Sequence, residues 1–309
     1  MADHDRTASL MTPATLAAQG APMAAASPAA WLNQMAADAG YAHVRRLGEL
    51  REEMQKQAGL RDFSPVTAEL TRLAEALPQL DFGLLQARGW WARTTGKSRT
   101  AGAEFAAQFE RIDEVTQGLA KQAQALQKKP QAQGTAGELS LVELEVEYRA
   151  IEKILNQGAR WLQDMRTQLK ARKAAPHDEQ ADKEIRDDAA RCEILVDRLK
   201  ALRAVASAAQ AAYQQAQAAS ARRLALLQLL QQALASDVTA WRSRLAALAG
   251  SAGDKGSPAL SLEAPMESHR ELQLCVKQAI ADCGQLQAQE KALAESLGVL
   301  GVQTEAAKC

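Results

Sequence analysis

The sequence predicts an all-α protein: an elongated antiparallel helical bundle or coiled coil built from long helices. Three observations predict it. Roughly a fifth of the 309 residues are Ala, with Leu and Gln also far above average usage. Aromatic residues make up only 4% of the chain, which leaves few of the side chains that favour strands. Apolar residues recur at alternating three- and four-residue steps over long stretches, the period of a helix seam.

Taken in order, residues 1–27 are rich in Ala, Pro, Thr and Ser without a sustained period and are expected to be a disordered tail. Residues 28–129 are expected to form the N-terminal helices. Ser27-Pro28 and Ser64-Pro65 each pair a hydroxyl N-cap with Pro at the first helical position. The first helix should run to about Gln57, with Leu32, Met35, Val44, Leu47, Leu50 and Met54 on one side. The second should stop at Pro78, which cannot continue it. A segment from Leu80 to Thr100 follows. Then comes a helix from about Ala101 to Lys128 carrying Phe105, Phe109, Ile112, Val115, Leu119 and Leu126. Residues 130–137, PQAQGTAG, read as a linker.

Residues 138–250 give the clearest signal, a long antiparallel hairpin. Its first arm has a seam through Leu141, Leu144, Tyr148, Ile151, Leu155, Gly158, Leu162, Met165 and Leu169. Acids crowd its start and bases its end, which suits the helix dipole. A short connection at Ala174–His177 permits only an antiparallel return. The second seam runs through Ile185, Cys192, Leu195, Leu199, Leu202, Ala206, Ala209, Tyr213 and Ala216. Folding about His177 sets Leu162 near Cys192, Leu155 near Leu199 and Tyr148 near Ala206. Gly158 then falls near Leu195, a hole facing a knob. The seam re-forms as Leu224, Leu227, Leu230, Leu234, Val238, Trp241, Leu245 and Leu248. Residues 251–264 are expected to be a linker, 265–300 a C-terminal helix and 301–309 a tail.

Charge and motif content narrow the function. The chain has 37 basic and 37 acidic residues, a formal net charge of zero. Coating nucleic acid needs a Lys/Arg surplus, so no nucleic-acid partner is expected. The N-terminus lacks the basic and apolar regions of a secretory signal, and no stretch approaches a membrane span, so the chain is expected in the cytoplasm. Cys192, Cys275, Cys283 and Cys309 form no CxxC pair and read as free thiols on or beside helix seams. Gly96-Lys97-Ser98 resembles the end of a phosphate loop, but Trp91 stands where that motif needs Gly. The four His are scattered without metal-ligand spacing. No catalytic residues, cofactor or metal are therefore expected, and the chain does not read as an enzyme.

One stretch has a chemistry of its own. Arg88, Arg93, Lys97 and Arg99 carry no compensating acid after Asp81, and Trp90 and Trp91 lie among them. A basic segment with Trp and Leu suits an anionic membrane surface or a partner. The competing reading has Phe82, Leu85, Trp90 and Trp91 plug the end of the bundle.

The order of features resembles the TelA family, the bacterial toxic anion (tellurite) resistance proteins, over roughly residues 80 to 290. The family has a leucine–glutamate–x–arginine–leucine–x–aspartate–leucine segment, matched here by Ile194, Leu195, Arg198, Leu199 and Leu202. Its arginine–leucine–isoleucine–glutamine segment is matched by Arg223, Leu226, Leu227 and Gln228. Its proline–leucine–tryptophan–lysine segment is matched by Val238, Trp241 and Arg242, with Thr239 and Ala240 where the family favours Pro-Leu. The resemblance implies a non-catalytic role in resistance to tellurite or related envelope stress. The protein would act in the cytoplasm or at the periphery of the inner membrane, through a partner, self-association or anionic lipid. The alternative is a coiled-coil scaffold or adaptor unrelated to resistance, self-associating through Leu224 to Leu248.

Overall fold

A computed structural model describes residues 39–59, 62–86, 97–176, 178–251 and 261–308; the side chains at 97–99 and 127–137 lie outside that description. Among the described residues every regular element is helical and none is a strand. The helices are α1 (Tyr41–Gly59), α2 (Ser64–Ala76), the short α3 (Gly83–Gln86), α4 (Lys97–Ala174), α5 (Glu179–Gln228), α6 (Leu234–Ser251) and α7 (Glu263–Ala306).

These helices build two compact units. In described residues, the first comprises 39–58, 137–217 and 292–308. Its α1 runs antiparallel to α4, as the pairs His43–Glu147 and Arg46–Glu143 fix. Here α5 runs antiparallel to α4 through Tyr148–Tyr213 and Arg172–Asp188. Its core is built by Val44, Leu47, Leu50, Leu144, Ile151, Leu202, Leu297 and Leu300, all fully buried. These are the helix-spaced positions of each element, so the unit is an up-down four-helix arrangement closed by apolar stripes.

The second unit comprises 59–136 and 218–291. Its core contains Val66, Leu70, Leu73, Phe105, Ile112, Leu230, Leu245, Leu272 and Val276 around Trp241, which is fully buried. As expected, α2 starts at Ser64-Pro65, though the N-cap is Phe63 and the Asp62 carboxylate takes the Ser64 N–H at 2.8 Å. Pro78 ends it in a 3₁₀ turn, Leu77–Gln79.

Five expectations need correction. Residues 130–137 are no linker, because α4 passes through them as helix. Pro130 removes a single amide and costs about 3 kcal/mol, which long helical flanks and a run rich in Ala and Gln outweigh. The two units divide within the continuous α4 at 136/137 and within α5 at 217/218, so the expected blocks 28–129 and 138–250 are each shared between them. The C-terminal helix starts at Glu263 and runs to Ala306, because Leu300, Thr304 and Ala307 continue its buried stripe into the predicted tail. The second seam is not one α-helix: a π-turn at Leu229–Ala233 interrupts it. Leu226, Leu230 and Leu234 are buried at successive four-residue steps, each overshooting a full turn by about 40°, and the wider turn absorbs that drift. Leu224 is consequently off the seam, 59% exposed, and Leu226 takes its place. Leu226, Leu230, Leu234, Trp241, Leu245 and Leu248 pack in the core of the second unit.

The tail 1–27, the Ser27-Pro28 start with Leu32 and Met35, and residues 252–260 lie outside the described residues.

Candidate functional site

Of the basic and aromatic candidates, Arg88, Trp90, Trp91 and Arg93 lie outside the described residues; Lys97 and Arg99 belong to the first turn of α4, with their side chains outside the description. The apolar start of that segment is core. Leu85 is 4% exposed, and the Phe82 ring packs 5.7 Å from Phe105 and edge-on to His269 at 5.4 Å.

The hairpin seam is present, shifted from the expected register by about one turn at Gly158 and about two at Tyr148. Leu144, Tyr148, Ile151, Leu162, Leu195, Leu199 and Leu202 are buried, and Leu155 is half-buried because Ile154 turns inward beside it. Gly158 receives a knob, but the knob is Leu199 in place of Leu195: a Cβ on Gly158 would stand 2.9 Å from both Leu199 methyl carbons. Tyr148 meets the Tyr213 ring at 5.9 Å, where Ala206 was expected. The Tyr213 hydroxyl also donates to Glu145 at 2.8 Å, which ties its turn to the first arm.

Polar residues tie the helices within each unit, and several are residues that carry the family resemblance. Arg198 donates from Nε to the Ala39 carbonyl at 3.1 Å and from Nη1 to the Ala307 carbonyl. It thereby holds the turn that leads into α1 and the end of α7 on α5, the latter at the carbonyl end of a helix, where a cation is favoured. Burial lowers its pKa, and its Nη2 is buried without a partner. In the second unit Arg223 contacts Glu290 at 3.0 Å. Arg242 donates to Asp113 and, at 3.0 Å, to the buried Thr116 hydroxyl, joining α6 to α4. Trp241 donates from Nε1 to His269 Nδ1 at 3.1 Å, and Gln273 lies 3.1 Å from the other ring nitrogen. His269 is thus a neutral imidazole accepting at Nδ1. Burial pushes its pKa down, opposed by the Leu77 carbonyl.

Sequence reading missed Asp188, His269 and the Arg198 tie. Asp188 falls between Ile185 and Cys192 at seam spacing and is buried, paired with Arg172 at 2.7 Å and Arg191 at 3.1 Å. A charge on a seam position was the available signal. His269 sits three residues before Leu272 on the buried stripe of α7. The Arg198 tie joins carbonyls far apart in sequence and leaves no pattern to read.

Cys309 lies outside the described residues; the other three thiols have the chemistry of packing groups. Burial raises the pKa of Cys192 and Cys283, and burial with the Asp237 carboxylate pushes Cys275 up to about 12. Protonated thiols are poor nucleophiles. Among the described residues, no group of three or more His, Cys, Asp or Glu side chains is placed to hold a metal ion, and no helix is long and apolar enough to cross a membrane. No protein-family model, curated protein or solved structure matches the chain.

Proposed function

We propose that the chain is a TelA-like protein that contributes to resistance against tellurite or related envelope stress, without catalysis, as a helical scaffold. It works through a protein partner, through self-association, or through an anionic membrane surface met by the segment around Trp90 and Trp91. One observation supports this reading above others. The polar residues matched to the family segments, Arg198, Arg223, Trp241 and Arg242, each make a cross-helix contact within their unit. A chance match of Leu/Gln repeats would scatter such residues over solvated faces.

The test is a tellurite plate assay on a strain deleted for the gene. Heightened sensitivity, restored by the wild-type chain, is the expected result; unchanged sensitivity overturns the proposal. In that event the adaptor reading gains. What favours it is an outward stripe on α4, Leu139, Val142 and Val146, exposed by 63%, 59% and 47% at three- and four-residue steps. Such spacing is how one helix takes a partner helix.

A further inference from the structure

The outward row Leu139, Val142 and Val146 on α4 lies within the first unit, and all three side chains are exposed. Single exposed apolar residues are ordinary, but a row at helix spacing is a seam without its partner. Carboxylates crowd its edge. Glu143 stands one turn past Leu139 on the same helix. The Arg46 guanidinium of α1 that meets Glu143 is shared with Glu49 at 3.1 Å and Glu53 at 3.7 Å. Arg45 reaches Glu49 at 3.1 Å. Among the described residues of this edge, two bases thus answer three half-exposed carboxylates, and exposed Glu138 at the head of the row adds a fourth. The face turns basic only past Val146, at Lys153 and at Arg149, which pairs with Glu145 at 2.5 Å.

We propose that this row docks a basic amphipathic helix of another protein, with apolar side chains at three- and four-residue steps and Lys or Arg beside them. The apolar row supplies the contact, and the surplus carboxylates select the sign of the partner. A second copy of the chain fits poorly. Antiparallel packing about Val142 and Val146 brings Glu143 and Glu145 up to their own copies across the two-fold axis, and parallel packing sets Glu138 beside the other chain's Glu143. An anionic lipid surface meets the same surplus of negative charge and is repelled. The inference deepens the protein-partner reading above by giving it a surface. Binding is read on the purified chain, so it can fail while the plate assay succeeds, and the reverse.

Fluorescence anisotropy of a labelled synthetic helix, titrated with the full chain, tests it. The probe has about 18 residues, Leu at the seam steps and Lys elsewhere. A shuffled peptide of the same composition keeps the charge and loses the apolar face; a third peptide has Glu for every Lys. Saturable one-to-one binding of the Lys helix is expected, about tenfold or more weaker binding of the shuffled peptide, and none of the Glu helix. Val142→Gln with Val146→Gln, both at exposed positions, should weaken the Lys helix about tenfold or more while leaving the melting curve unchanged. Glu53→Lys with Glu138→Lys should weaken it too. Ile194→Gln, at an exposed apolar position of α5 in the same unit, should leave binding as in wild type. The proposal is overturned by absence of saturable binding, by equal binding of the shuffled peptide, or by full binding to the Val142/Val146 variant. It is also overturned if sedimentation shows the chain dimeric and that variant monomeric, because a second copy then covers the row.

Discussion

Leu199 of α5 fills the space that Gly158 of α4 leaves open, with both its methyl carbons 2.9 Å from where a Cβ would stand. Gly158→Ala should therefore destabilise. Overpacking costs about 1–3 kcal/mol, more than the roughly 1 kcal/mol that Ala gains as a helix former. In denaturant melts, Gly158→Ala should lose about 1 kcal/mol in the wild-type background, and add no further loss in a Leu199→Ala background. Equal loss in both backgrounds would place Leu199 elsewhere.

Charge on the seam should separate two leucines that look alike in sequence. Leu199 is buried, whereas Leu155 is half-buried beside Ile154. Leu199→Asp should cost about 3 kcal/mol or more by leaving a charge unpaired in the core. Leu155→Asp should cost clearly less. Urea midpoints measure both, and the reverse order would refute the seam as described.

His269 should make stability depend on pH. Its folded pKa is depressed by burial, so below the ordinary histidine pKa of about 6.5 the unfolded chain takes up a proton that the folded chain refuses. Stability is intact above that pH and falls as pH drops towards the folded value. His269→Gln keeps an acceptor for Trp241 and removes the titration. Melting temperatures between about pH 5 and 7.5 should therefore fall on acidification more steeply for wild type than for the variant. Parallel curves would mean that His269 does not titrate on unfolding.

Arg198 should act locally as well as globally. Arg198→Met leaves the Ala39 and Ala307 carbonyls without this donor, a loss of about 1–3 kcal/mol. Hydrogen exchange should quicken at the start of α1 and the end of α7 before it does elsewhere. Uniform exchange with an unchanged melt would make the tie dispensable.

The thiols should resist alkylation. Cys192, Cys275 and Cys283 have pKa values raised by burial. Peptide-resolved iodoacetamide labelling at about pH 8 should be on the order of a hundredfold slower at these sites in the native chain than in urea. Fast native labelling at any of them would reopen a role for that thiol.

Helix type and seam were legible because burial in a bundle follows a short local period, so Leu144, Ile151, Leu195 and Leu202 could be picked from spacing alone. Register was less so. Two candidate knobs, Leu195 and Leu199, stand one turn apart, and the same period fits both, so spacing alone could not select Leu199 for Gly158. The linker at Pro130 was misread because proline weighs heavily in local propensity, whereas the helix on either side decides the outcome. The polar ties escaped because Arg198 and His269 are satisfied by groups distant in sequence.

The way the chain is shared between the two units governs how it must be born. The first unit needs residues 39–58 and 292–308 together, and the second needs 59–136 with 218–291. Synthesis proceeds from the N-terminus, so α1 leaves the ribosome long before the last turns of α7 that complete its bundle. Its buried row of Val44, Leu47 and Leu50 stays uncovered by that partner until residues 292–308 have been made. Neither bundle can close early, and no cut in the sequence frees one intact. Until residues 292–308 emerge, α1 presents apolar surface of the kind that holding chaperones cover.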